Sequence, residues 1–551
     1  MTTTSRSGRA QRHQIWLEQI DTALRTQGMA RAATLALQAL AEGIEHPTLL
    51  NLAASVHYGE GRFDEATRLL KRARTLAPGD PHILNSLGLC LRALGETDAA
   101  LKAFEASSRT DSGMAAAHFN RGALLEELSE IKGARSAYEQ AAAIDPTYVE
   151  PLAGLAWLDA QGGDLASARA RGERALFRSP GNVLARLALS SAELQQGDLS
   201  AAGTRLSALL ADPALTPLNR SIVLGLIADL EDARGRTQEA FAAYAASNAE
   251  LKTINAGRFE APGIESALMK VRRLIAWFED TNPEPWREAP PARPRAADPR
   301  AHVFLVGFPR SGTTLLENVL AAHPDVVSLE EKDCLERVAE PYLTSGEGLE
   351  RLAQIGSTEA PRQREAYWSA VRAYGVEPRG RVFIDKMPLA SVHLPVIARL
   401  FPNARILFAQ RDPRDVVLSC FRRRFGMNPA MYELLTLEGA AEFYDAVMQL
   451  SEIYRRLLQL PQHLVRYESL VEDFDGTARA ACDFLGLRWN EAMRNFAARS
   501  RARGISTPSA AQVARGLNRE GQGAWRRYRD QLAPVLPILE PWLERFGYAS
   551  E

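Results

Sequence analysis

The stretch HVFLVGFPRSGTTLLENVLAAH, residues 302–323, decides the reading of the C-terminal half. His302–Val306 is a short apolar run of the kind that forms a buried parallel strand. It enters GFPRSGTT (307–314), and LLENVLAAH continues as an amphipathic helix. Strand, glycine-containing loop and helix start together gather backbone N–H groups around a phosphate or a sulfate. Thr313 and Thr314 add hydroxyls where the helix begins. Gly307, four residues and Gly312 match the spacing G-x4-G-K-[ST], but Thr313 stands where the lysine belongs, and Thr314 fills the Ser/Thr place. In ATP and GTP hydrolysis that lysine reaches the β- and γ-phosphates. Its absence argues against such chemistry, and Arg310 offers a cation of different reach. A glycine turn after a strand is common by itself. Two glycines, two threonines and an internal arginine predict an anion site.

A second such junction lies further on. ARILFA (404–409) reads as a buried strand running into QRDPRDVVLSCFRRRF (410–425). Arg411 falls at the strand's end, Pro413 suits a helix's first turn, and Ser419 lies inside the helix that follows. Arg411 and Ser419 are therefore expected to converge on one phosphate. Asp412 and Asp415 are expected to cap the helix and complement its dipole. Arg422–Arg424 read either as a solvated helix face or as a run with one member turned to the ligand. Two anion sites at the ends of two parallel strands predict a nucleoside phosphorylated at both ends, not a triphosphate. Between them, RVFIDKMPLASVHL (381–394) places a strand at 382–384 and Lys386 at the mouth of the sheet, a position suited to catalysis. Pairing with Asp385 is the alternative for that lysine.

The first half reads differently. Gly61, Gly95, Ser129, Gly163 and Gly197 stand 34 residues apart, as do Ala66, Ala100, Ala134, Ala168 and Ala202. Pro78, Ser112, Pro146 and Pro180 keep the same period. Three columns in one register predict stacked helical pairs. The Gly/Ser column serves the turn within each pair, and the alanines let two helices approach closely. Leu84, Leu87, Leu91 and Leu94 supply the face that a neighbour buries. Gly28 with Ala33 suggests an earlier unit, and Gly235 with Ala240 a later one out of register. Residues 262–280 read as a final amphipathic helix, and TNPEPWREAPPARPRAADPR (281–300) as a proline-rich linker with no regular helix.

Residue content narrows the classes. A formal net charge of -1 gives no general cationic field, so no nucleic-acid partner is expected. Cys90, Cys334, Cys420 and Cys482 form no CxxC pair and no metal-ligand spacing, which fits a reducing compartment. The N-terminus leads into an amphipathic segment, so neither a signal peptide nor a membrane span is expected and the cytoplasm is the default location.

The first half resembles the tetratricopeptide repeat family over roughly 48–210, with LNSLGLCLRALGETDAALKAFEAS (84–107) the clearest unit. The second resembles the sulfotransferase superfamily, nearest its protein-tyrosine sulfotransferase branch. FPRSGTTLLENVLAAHPDVVSLEEKD, IDKMPL, FPNARILFAQRDPRDVVLSCFRRRF, VRYESLVEDF and TPSAAQVARGLNREGQGAWRRY carry that resemblance across about 302–530. It implies a multidomain chain: an all-α tetratricopeptide-type superhelix (1–280), a linker (281–300) and an α/β P-loop-like domain with a mostly parallel sheet (301–551). It also implies 3′-phosphoadenosine 5′-phosphosulfate as donor, 3′,5′-bisphosphoadenosine as product, and no metal requirement. By resemblance, Pro309, Arg310, Ser311, Gly312, Thr313 and Thr314 hold the 5′-phosphosulfate, and Arg411 and Ser419 the 3′-phosphate. Tyr467 lies near the adenosine, and Ser509 meets the bridging or sulfuryl oxygens. Lys386 stabilises the leaving phosphate. Ala524 replaces a lysine found before the tryptophan in relatives, and among Arg515, Arg519, Arg526 and Arg527 the first is the best substitute. Glu331 of SLEEK corresponds to the acceptor's base, Glu330 to a pairing partner, and His323 to a helix-ending turn. Leu329 and Lys332 depart from the branch's pattern there. A fused repeat array suits a peptide or protein acceptor, with bracing or homodimer formation as the alternative role. A sugar, lipid or metabolite acceptor, an ATP-dependent small-molecule kinase and an inactive scaffold are the competing readings.

Overall fold

A computed structural model describes residues 3–128, 130–287, 298–503, 516–519 and 521–549. The chain divides into two compact units, Met1–Ala192 and Glu193–Glu551.

The first unit is built of antiparallel helix pairs set by the 34-residue columns. Pro47–Gly59 and Phe63–Leu76 form one pair, Pro81–Ala93 and Thr97–Thr110 the next, and Ala115–Glu127 with Ile131–Ile144 a third. Val149–Gly162 and Leu165–Arg178 follow. Ala66, Ala100, Ala134 and Ala168 are fully buried, as is Ala202 in the second unit. Gly61, Gly95, Gly163 and Gly197 adopt left-handed φ of 74–82° between paired helices, which side chains other than glycine adopt only with strain. Ser129 of the same column lies outside the described residues. Asp80 starts its helix by accepting from the N–H groups of His82 and Ile83. A further column emerges in three dimensions: Asp159 pairs with Arg171 and Glu193 with Arg205, each twelve residues on. Its two members sit 34 residues apart in sequence but are of differing residue types, so residue identity does not reveal it.

The second unit holds the last helices of the array and the α/β domain. Its sheet runs β2-β3-β1-β4-β5, with β1 Ala301–Gly307, β2 Val326–Glu330, β3 Val382–Lys386, β4 Arg405–Gln410 and β5 Gln462–Arg466. Every described pairing is parallel. Both faces are covered, which is why the strands read as continuous apolar runs. Val303 and Leu305 pack on one side with Leu316, Val319 and Leu320 of the helix Thr313–Ala321. Phe304 and Val306 pack on the other with Phe443 and Tyr444 of Leu437–Leu457.

That second core also takes in Tyr244, Val271, Leu274, Phe278 and Trp286, so the helices preceding the proline-rich segment share a core with the sheet. The expected final helix begins later than 262 and spans Ala267–Asp280. Glu284–Arg287 makes one helical turn inside the expected linker, because Trp286 is drawn into the core at 2% exposure. Burying a large apolar side chain stabilises by roughly 1.5–3 kcal/mol, which favours the turn that places it there. Residues 288–297 lie outside the described part.

Packing in the repeats is tight at Tyr138. A Cβ on Gly122 would come within 2.7 Å of its ring, and one on Gly154 within 2.8 Å. Gly122→Val is therefore expected to cost about 1–3 kcal/mol by overpacking. Urea unfolding followed by far-ultraviolet circular dichroism measures it.

Candidate active site

The loop Phe308–Gly312 joins β1 to the helix Thr313–Ala321, as the sequence predicts. Gly312 caps that helix at φ 95°, and a Cβ there would stand 2.8 Å from the Tyr467 ring. Ser311, Thr313 and Thr314 are buried. Arg310 has φ 70° and is the one non-glycine described residue with positive φ. Holding it there costs about 1–3 kcal/mol, a strain that persists only where its surroundings fix it. Two contacts do so. The Arg310 Nε donates to Ser419 Oγ at 2.9 Å, and Arg411 Nη1 donates to the Arg310 carbonyl at 2.9 Å.

Arg411 and Ser419 thus meet through Arg310, and the two segments that the sequence reading expects to hold anions adjoin in one cationic rim. Arg411 is buried, lies 4.9 Å from the Tyr467 ring centroid, and donates through Nη2 to the Gly521 carbonyl. Its buried Nε has no hydrogen-bond partner among the described residues. A buried guanidinium donor left over in this way fits an anionic oxygen. Burial, then Arg423 and Arg411, hold the Arg310 guanidinium below its ordinary value. Such a crowd of cations favours an anion.

Lys386 ends β3 beside this rim and is fully buried. Its Nζ donates to Glu331 Oε1 at 2.6 Å and lies 3.5 Å from Glu317 Oε2. Glu317, fully buried on the helix that the loop starts, has no counterpart in the sequence reading. Burial opposes the Lys386 charge, but Glu331 and Glu317 outweigh it and raise its pKa. Glu331 keeps 35% of its side chain exposed, so it faces both the lysine and solvent.

Other expectations resolve in particular ways. Asp412 caps its helix by accepting from the Arg414 N–H at 2.9 Å. Asp415 does not cap: it reaches the N–H groups of Gly523 and Trp525, at 2.7 and 2.9 Å. Both amides lie in a segment more than a hundred residues away, so local sequence gives no sign of them. The helix Pro413–Phe421 ends before the arginine run, and Arg422 pairs with Asp232. Arg527 also turns to Asp232, at 3.0 Å, while Arg526 lies 5.2 Å from the Trp525 ring centroid. His323 closes its helix, its Nδ1 accepting from the Asp325 N–H at 3.0 Å. Pro309 bounds the loop, and its carbonyl accepts from Cys420 Sγ. Ser509 and Arg515 lie outside the described residues. No described helix is long and apolar enough to cross a membrane.

The model of the sulfotransferase family matches residues 302–491, and tetratricopeptide repeat models match 57–118, 17–81 and 154–215. An uncharacterised protein of Aquifex aeolicus is 26% identical over 255 residues, 43% of this chain and 32% of that protein. The chain therefore spans about a third of that relative's length. Protein-tyrosine sulfotransferase 1 of Danio rerio is 28% identical over 266 residues, 45% of this chain and 72% of that protein. Among solved structures, the sulfotransferase domain of the Synechococcus PCC 7002 olefin synthase is 24% identical, with a TM-score of 0.32, covering 47% of this chain and 98% of that one.

Next to Lys386 in β3, Asp385 joins a buried polar chain instead of pairing with the lysine. Tyr367 donates to Asp385 Oδ2 at 2.6 Å, and its hydroxyl stands 3.0 Å from His302 Nε2. Burial pushes the Asp385 carboxyl up to about 7 and the His302 imidazole down to about 3. The native state therefore retains the Asp385 proton where the unfolded chain releases it, and this group's contribution to stability falls as pH rises from about 4 to about 7. His302 contributes in the opposite sense between about 3 and its ordinary value of 6.5. Asp385→Asn removes the first dependence and keeps the second. Its urea midpoint is expected to gain on the wild-type midpoint between pH 4 and pH 7, measured by denaturant titration at several pH values.

Proposed function

Because residues 302–491 carry a sulfotransferase-family domain and tetratricopeptide repeats precede it, we propose that the chain transfers a sulfuryl group from 3′-phosphoadenosine 5′-phosphosulfate to an acceptor hydroxyl, with protein tyrosine the preferred acceptor. One observation carries the reading. Arg310, Lys386 and Arg411 stand at the C-terminal ends of the adjacent strands β1, β3 and β4, around the start of the helix Thr313–Ala321. In parallel sheets this edge is where ligands bind. A helix N-terminus and loop amides suit one anionic end of a nucleotide, and Arg411 with its unpartnered Nε suits another.

The groups divide the work as follows. Loop N–H groups from 310–314, with the Thr313 and Thr314 hydroxyls, orient the phosphosulfate. Arg411 and Ser419 take the 3′-phosphate, beside Tyr467. The acceptor oxygen attacks sulfur, and the bond from sulfur to the bridging phosphate oxygen breaks. The acceptor proton goes to Glu331, and the leaving phosphate keeps the electron pair. Lys386 and Arg310 stabilise the charge growing on the bridging and sulfuryl oxygens. Ser509 and Arg515 are proposed for the same oxygens and for the donor, by resemblance alone.

Lys386 bonded to Glu331 is consistent with these roles. When the donor draws the ammonium toward the bridging oxygen, the carboxylate is released to accept a proton. A phenol suits this base, because its pKa of about 10 lies far below that of an alkyl alcohol. The Danio rerio relative's name points to the same acceptor. The repeats are a proposed docking surface for the protein that carries it.

Calorimetry is expected to give tighter binding of 3′,5′-bisphosphoadenosine than of ATP; equal or stronger ATP binding overturns the donor reading in favour of a kinase. Arg411→Ala should weaken the bisphosphate and leave kcat at saturating donor largely intact. Lys386→Ala should lower kcat by about 10²–10³-fold, and Glu331→Gln by about 10²–10⁴-fold, with donor affinity within a few-fold in each. Labelled donor offered to tyrosine peptides and to sugar or lipid acceptors reads out acceptor class.

A further inference from the structure

The last helical hairpin of the repeat array, Pro217–Ala233 and Thr237–Phe259, makes polar contacts with the elements that border the donor site. One of its carboxylates reaches two of them at once. Asp232 pairs with Arg422, which directly follows the helix Pro413–Phe421 that carries Ser419. It also accepts from Tyr528 Oη at 2.7 Å and pairs with Arg527 at 3.0 Å. Tyr528 ends the turn Ala524–Tyr528, whose approach supplies the Gly521 carbonyl that holds Arg411 and the two amides that hold Asp415.

Neighbouring contacts reinforce the junction. Asn248 Nδ2 donates to the Phe421 carbonyl at 2.9 Å, satisfying one of the carbonyls that a helix end leaves over. Phe241 stacks on Phe421 with centroids 5.0 Å apart. Arg422 lies 5.1 Å from the rings of both Tyr244 and Tyr528. Tyr244 in turn donates to Asp229, one turn before Asp232, at 2.6 Å.

Electrostatics gives the junction a purpose. Burial depresses the Arg310 pKa, and Arg423 and Arg411 depress it further, a sign that the cations of the rim repel one another. Arg422 acts on Asp232, whereas burial raises the Asp229 carboxyl and Arg423 offsets only part of that. The hairpin thus lends counter-charge to a cluster that an anion alone would otherwise have to balance. Burial opposes the Asp232 charge, but Arg422, Tyr528 and Arg527 hold its carboxyl below the ordinary value.

We propose that Asp232 is a positioning residue of the donor site, clamping the Ser419 helix and the Gly521–Tyr528 segment together so that Arg411, Arg310 and Ser419 are set for the bisphosphate. The proposal rests on the donor reading above. It makes the terminal repeat hairpin a structural part of the transferase, with donor affinity coupled to the hairpin's geometry.

The test is calorimetry with 3′,5′-bisphosphoadenosine on the full chain, for wild type, Asp232→Ala, Asp232→Glu, Tyr528→Phe and Glu231→Gln. Glu231 pairs instead with Arg234 and Arg236, so it controls for a charge lost from the same turn. Asp232→Ala is expected to weaken the bisphosphate about tenfold, within the usual range for coupled sites, and to raise the donor KM with kcat within twofold. Asp232→Glu should restore part of the affinity, Tyr528→Phe should weaken binding by a smaller factor, and Glu231→Gln should match wild type. Hydrogen exchange at the Gly523 and Trp525 amides should quicken in Asp232→Ala.

If Asp232→Ala does not fold, Tyr528→Phe carries the decision, since it deletes one clamp bond and leaves the charges. Wild-type binding with unchanged or tighter binding in the folded variants overturns the proposal alone, because Asp232 then acts only as a competing anion or as scaffold. Failure of wild type to bind the bisphosphate overturns the donor reading, and the positioning role with it.

Discussion

Burying cations inside a protein carries an electrostatic cost, and the edge of the sheet in the second unit is arranged around it. Lys386 is fully buried, and Arg411 is nearly so. A buried charge persists only when paired and hydrogen-bonded. The chain meets that demand with Glu317 and Glu331 for Lys386, and with backbone carbonyls of Arg310 and Gly521 for Arg411. Carbonyls are the more telling choice. They satisfy donors without cancelling the charge, so the guanidinium keeps its attraction for an anion. The lysine is treated differently because its partner Glu331 has a second role in the proposed chemistry.

Strain serves the same end. Arg310 sits in a backbone region that glycine occupies freely, yet a glycine there would forfeit the side chain that reaches Ser419. The loop accepts the cost because three separate elements meet on this one residue: the helix carrying Ser419, the end of β4 through Arg411, and the segment at Gly521 behind it. Removing any one would relax the others, so preorganisation here is a collective property.

What could be read from the sequence follows from the range of the interactions involved. Strands buried on both faces, the loop, and the 34-residue columns are local or periodic, and the sheet and helix pairs appeared where expected. Lys386 and Arg411 were placed at the sheet's edge because each stands at a strand's end, and Arg310 because it lies in the loop that follows one; strand ends in a parallel sheet share an edge. Glu317 escaped notice because an acid in the helix LLENVLAAH reads as a surface residue until the fold turns it toward Lys386. Asp415 was read only in part for a related reason: an acid in a helix's first turn has a ready local explanation in the dipole, and the amides of Gly523 and Trp525 that it also holds lie far off in sequence. The one-turn helix at Glu284–Arg287 follows from Trp286 finding a core that no local pattern announces.

The out-of-register unit at Gly235 and Ala240 shows where a repeat stops being only a repeat. Ala240 is fully buried, as the column requires. Its hairpin, however, spends its polar groups outward, on Phe421, Arg422 and Tyr528, where units within the array pair side chains such as Asp159 with other helices of the array. An array whose end is fitted to another domain cannot keep a strict period, because the last face must match a surface with no 34-residue spacing. Loss of register at the end of the columns is thus the sequence-level trace of a built junction. That makes the hairpin at 217–259 better grouped with the α/β domain, in whose compact unit it lies, than with the repeats whose pattern it continues.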